Sequence, residues 1–177
     1  MQQFERADSG LLVPNRLKVG GRFHGQITRA GRVVDEWEDH NLVVNEGLNS
    51  LLDIMFHGST QITTWYMGVF EGNYTPVSTV TAATITSAST ECTAYTSSTR
   101  PAYDEAAASS QSITNSASRA SFVFNASKTI YGAFLVSNST KSGTSGTLFS
   151  AARFSTAKTV ENLDELLLTY TFTVSSV

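Results

Sequence analysis

Cysteine is nearly absent. Cys92 is the single one in 177 residues, so no internal disulfide can form, and a reduced or redox-indifferent setting fits. Charge is also scarce: 15% of residues are Asp, Glu, Lys or Arg, against roughly 25% in an average soluble domain. The net charge of −3 leaves no basic footprint for nucleic acid. No apolar run reaches the ~18 residues of a membrane span. The start, MQQFERADSG, lacks the basic-then-apolar layout of a signal peptide. The chain is therefore expected to stay in a cytoplasm, or to be assembled there into something larger, with no membrane partner and no direct nucleic-acid partner.

Chemistry-bearing motifs are missing too. His24, His40 and His57 form no HxxxH or HxH pair, so a metal triad has no local support. Cys92 has no nearby His and reads as an inert buried thiol. No nucleophile elbow, phosphate-binding glycine loop or dinucleotide fingerprint occurs. Asp35/Glu36 and Asp104/Glu105 are sequence neighbours, which a strand points to opposite faces, so they cannot share acid–base work. The expectation is a protein with no catalytic, cofactor-binding or metal-binding residues.

What the chain does have is hydroxyls and strands. Ser and Thr make up about a quarter of it, and 41% is apolar, including ten Phe and six Tyr. Disorder throughout is excluded by that apolar content. At this length one domain with its own core is the default.

The one strong helix signal is NLVVNEGLNSLLDIMFHG, residues 41–58. Asn45 has N-cap chemistry, and Glu46 suits the positive end of the helix dipole. Leu48, Leu51, Leu52, Met55 and Phe56 recur at helical spacing, and Gly58 can close the helix in a left-handed conformation. A short amphipathic helix over 46–57 is predicted, its stripe packed on a sheet.

Around it the pattern is β. Phe23, Gly25 and Ile27 alternate with polar neighbours, and Ala30-Gly31 is a tight turn before the returning strand 32–37. ITTWYMGVF (62–70) and TIYGAFLVS (129–137) are apolar on both faces, as central strands are. Gly132 inside the second suggests a bulge or close packing. Residues 120–125, 147–154 and 165–174 alternate as further strands. Within residues 75–118 the first part, 75–91, has weak periodicity and reads as a long surface segment with one strand or a short helical turn; 91–96 and 100–103 read as short strands and 106–118 as a loop. Glu91, Tyr95, Arg100 and Tyr103 could form a buried polar cluster there. NSTKSGTSG (138–146) reads as a mobile hairpin tip. The fold class predicted is mainly β: an antiparallel sandwich or jelly roll of about eight strands with one short helix. Residues 1–19 read as an extended arm and 20–177 as a single β-sandwich domain.

Four stretches carry a resemblance: residues 41–58, WYMGVFEG at 65–72, YGAFLVSNSTKSGTSGTLFSAARFS at 131–155 and DELLLTYTFTV at 164–174. Glu91, Tyr95 and Arg100-Pro101-Ala102-Tyr103 add to it. Together the chain resembles a family of small structural proteins of tailed bacteriophages. The resemblance implies a virion component on the capsid exterior, a decoration or cement protein that binds the major capsid protein; a sandwich with an exposed edge is further expected to form a dimer or trimer. It carries over no catalytic residues. Contact regions expected from the sequence are the arm, at Phe4, Leu11, Leu12 and Val13, and the acidic patch Asp35, Glu36, Glu38 and Asp39. Two alternatives stand beside it. One is a tail or head–tail connector component. The other is a carbohydrate or host-recognition module using Trp65, Tyr66 and the 138–146 loop.

Overall fold

The computed structural model of the protein describes residues 16–176. Phe4, Leu11, Leu12 and Val13 lie outside the described residues. In chain order the elements are β1 (Leu17–Arg29), β2 (Arg32–His40), β3 (Leu42–Val43), α1 (Asn45–Phe56), β4 (Trp65–Phe70), α2 (Ala82–Ser89), β5 (Ala102–Tyr103), β6 (Ser112–Thr114), β7 (Ala120–Val123), β8 (Lys128–Val136), β9 (Leu148–Val160) and β10 (Glu165–Ser176). The strands form two antiparallel sheets, a β-sandwich of ten strands rather than about eight. Three of the ten, β3, β5 and β6, are only two or three residues long; β5 falls within the 100–103 stretch read as a short strand, whereas β6 lies where a loop was expected. Leu17, Lys18 and Val19, expected in the arm, are the first residues of β1.

One sheet runs β2-β1-β10. Beyond β10, β6 pairs with Thr171–Thr173 and β7 with Glu165–Leu168. The other runs β3-β9-β8-β4-β5. The β1–β2 turn places Ala30 and Gly31 at φ 49° and 75°, both positive, as a two-residue type I′ hairpin requires. The inward residues Phe23, Ile27, Leu166, Leu168 and Tyr170 of the first sheet meet Met67, Val69, Leu135 and Phe154 of the second.

The second sheet is covered on its other face as well. Val80 and Ile85, from α2 and its approach, pack on Phe70, Phe134 and Val136. That third layer explains why β4 and β8 read as continuous apolar runs. Within the sheets three glycines lie directly across from aromatics: Gly25 from Trp37, Gly68 from Phe134 and Gly132 from Phe70. A Cβ at any of them would run into the facing ring. Gly132 also marks a register shift, as its position in the strand suggested.

Both helices depart from expectation. α1 begins one residue earlier, and Val44, not Asn45, is its N-cap. Val44 is fully buried and has no capping side chain; the Asn45 N–H instead donates to the Ser78 carbonyl at 2.9 Å. Gly58 closes α1 at φ 75° as anticipated, and Ser59 N–H donates to Asp53 O. Only part of the apolar stripe is covered: Leu48 and Leu51 are half-buried, while Leu52, Met55 and Phe56 are exposed. The face that docks carries Gly47, whose missing side chain lets the helix press on the Phe149 backbone. α2 is a full eight-residue helix where only a turn or a strand was expected.

Candidate functional site

Four groups of side chains stand out. The first is the acidic patch, which the strand splits. Glu36 and Glu38 face outward on β2: Glu36 meets His24 Nε2 at 2.9 Å and Glu38 accepts from Arg22 Nη1 at 3.2 Å. Asp35 and Asp39 share the other face with Trp37. Asp35 pairs with Lys158 Nζ at 3.1 Å, and Asp39 accepts the Ser155 N–H at the same distance. Each carboxylate thus has a partner within the chain, and the patch is a zipped strand rather than a free anionic surface. Asp35 also holds the Lys158 ammonium over the Trp37 ring, 4.4 Å from its centroid.

The second group is Glu91 with Arg100, both buried. Arg100 Nε and Nη2 donate to the two Glu91 oxygens at 2.8 Å each. Its remaining donors reach the carbonyls of Asn138 and Gly143, and its guanidinium lies 5.2 Å from the Phe134 ring centre. Ser142 N–H donates to Glu91 as well. Lys141 adds bonds to the carbonyls of Thr93 and Tyr95. The 138–146 tip, expected as a mobile hairpin end, is therefore tied at several points to the segment before β5. Sequence reasoning placed Tyr95 and Tyr103 in this cluster. Their hydroxyls are buried and have no hydrogen-bond partner among the described residues, and burial pushes both phenols well above their usual pKa.

The third is Glu46. It accepts the N–H of Ala82, the first residue of α2, at 2.8 Å, and the N–H of Leu148, the first of β9, at 2.7 Å. One carboxylate thus joins three elements. The fourth is an apolar cavity of about 300 Å³ beside α1. Leu51 and Ile54 of the helix form one wall; Trp65, Phe149 and Phe172 form another. Phe149 makes edge contacts with both Trp65 and Phe172, at centroid distances of 5.5 and 5.1 Å. The volume lies at the low end of the ~300–1,000 Å³ of small-ligand sites. Nothing in the sequence pointed to it, because its walls come from elements far apart in the chain.

No protein-family model and no curated protein matches this chain.

Among the described residues no three His, Cys, Asp or Glu side chains gather as metal ligands would. Cys92 is fully buried, and burial raises its thiol pKa, which disfavours the reactive thiolate. No helix is long and apolar enough to cross a membrane among the described residues.

Proposed function

We propose that this protein is a non-enzymatic structural component of a tailed-phage virion, decorating the capsid and bridging neighbouring major capsid protein subunits. Support starts with the resemblance of residues 41–58, 65–72, 131–155 and 164–174 to small virion proteins. The structural observation that carries the proposal furthest is the uncovered stripe of α1. Leu52, Met55 and Phe56 are 54%, 65% and 81% exposed on one helix. Clustered apolar residues of that kind mark interaction sites.

A protein that binds only the assembled shell stabilises it by linkage, and many weak contacts add through multivalency. The arm, at Phe4, Leu11, Leu12 and Val13, and strand β2, at Asp35, Glu36, Glu38 and Asp39, are further proposed contacts. β2 is an edge strand with Val33 and Val34 exposed, so it too has an open side. A dimer or trimer in solution belongs to the same proposal.

Quantitative mass spectrometry of purified particles tests it, with the major capsid protein as the standard. Hundreds of copies per particle are expected. A dozen or fewer would favour the tail or head–tail connector. None would dismiss the virion role and leave glycan binding by the isolated protein to be measured. That last alternative has little geometric help. Trp65 and Tyr66 are neighbours on β4 and so point to opposite faces, and Trp65 already packs on Phe149.

A further inference from the structure

The cavity beside α1 is walled mostly by aromatic rings. Trp65, Tyr103, Phe149, Tyr170 and Phe172 all line it. Tyr103 and Tyr170 are buried, whereas Trp65, Phe149 and Phe172 are half-buried. The two tyrosines therefore form a closed floor, and the other three rings stand nearer a mouth that opens to solvent. The volume of about 300 Å³ is that of about ten waters at ~30 Å³ each. It has room for a ligand with a similar number of heavy atoms.

Charge around the cavity has one sign. A second, polar cavity adjoins it and shares Ser50, Ile54 and Ile62 with it. The charged residues lining the two are Glu105 in the first and Glu46 and Asp53 in the second; no Lys, Arg or His lines either. Glu46 already accepts two backbone N–H groups. Glu105 and Asp53 are exposed, and neither is in an ion pair among the described residues.

These features select a ligand chemistry. The negative face of an aromatic ring attracts a cation, and a carboxylate at the rim adds to that attraction. The same groups repel an anion. A small hard cation asks for several oxygen ligands close together, whereas these walls are apolar. They suit an apolar body, and the carboxylate suits a positive head.

We propose that the cavity binds a small organic cation, an alkyl- or arylammonium whose apolar body lies among the five rings and whose ammonium group faces Glu105. The inference does not depend on the virion proposal: the exposed residues offered there, Leu52, Met55 and Phe56, do not line the cavity.

Benzyltrimethylammonium is the probe, with benzyl alcohol as its neutral counterpart and benzoate as its anionic one. Isothermal titration calorimetry on the full-length chain should show one saturable site for the cation. It should bind about tenfold more tightly than the alcohol, and benzoate should not bind. The chain has two tryptophans, Trp37 and Trp65, so two indole N–H resonances report the location. The Trp65 signal, identified by its loss in Trp65→Phe, should shift during the titration while the Trp37 signal stays. Glu105→Gln should weaken the cation about threefold and leave the alcohol unchanged. No saturable binding of the cation would overturn the proposal. Alcohol or benzoate binding as tightly as the cation, a shift confined to Trp37, or full affinity in Glu105→Gln would each overturn it too.

Discussion

At the scale of single residues, the Glu91–Arg100 pair is the most consequential contact in a chain with few charges. Its side chains are 1% and 0% exposed. Desolvating two ions is costly, and here the cost is offset by a bidentate contact plus three bonds to backbone. Arg100→Leu leaves Glu91 buried without its partner and should cost about 3–5 kcal/mol, read as a lowered urea midpoint. Pairing it with Glu91→Met should restore most of that loss, since the uncompensated charge is then gone. The pair was legible in sequence as two charges in a poorly charged stretch. Its carbonyl partners were not, because nothing in NSTKSGTSG reveals which carbonyl faces inward.

Asp164 permits a prediction about acid. Arg29 donates to both its oxygens, at 2.9 and 2.7 Å, and the Glu161 N–H donates at 2.7 Å. The Arg29 hydrogen bonds, foremost, hold its pKa below the usual carboxylate value despite burial. A carboxylate depressed in the folded state stabilises it above the unfolded pKa, about 3.9. That contribution disappears as pH falls through the lower folded value. The stability gap between the native chain and Asp164→Asn should thus be full at pH 6 and shrink steadily below about pH 4. Urea melts across that range measure it; a gap independent of pH would mean the carboxylate acts only as a turn acceptor.

At the scale of elements, α1 shows what periodicity can and cannot say. The helix is where its spacing put it. The stripe is real, but the docked face is the one holding Gly47 and Ile54, roughly a third of a turn away, and it takes in only the near edge of the stripe, at Leu51. A helical period gives no sign of which face lies down when the widest apolar stripe is kept for something else. Two substitutions separate the faces. Gly47→Ala places a methyl against the Phe149 backbone and should cost about 1–3 kcal/mol. Phe56→Lys removes a large apolar group yet should change the free protein's stability by no more than about 0.5 kcal/mol. Differential scanning calorimetry of the two variants makes the contrast. α2 was hidden for a related reason. Its buried positions Ala82, Ile85, Thr86 and Ser89 keep helical spacing, but two of them are hydroxyl residues, so a scan for apolar stripes passes over them. Ser89 tolerates burial by donating to the Ile85 carbonyl at 2.6 Å.

At the scale of the whole molecule, the decisive feature is where β10 sits. The last strand of the chain is the centre of its sheet. It pairs with β1 along Thr28↔Glu165 to Leu17↔Ser176, and with β6 and β7 on its other side. The first sheet cannot close without β10, and its longest ladder joins segments about 150 residues apart. Long loops must be closed before those contacts stabilise anything, which slows folding. Refolding from urea, followed by Trp37 beneath the sheet, should accordingly take milliseconds to seconds rather than microseconds. Substitutions in β10 should act on the folding rate if closure of that ladder is the barrier. Leu168→Ala, buried in the core, should then slow refolding more than it speeds unfolding. The opposite partition would place β10 after the barrier and shift the nucleus to the β8–β9 hairpin, whose two strands are neighbours in sequence.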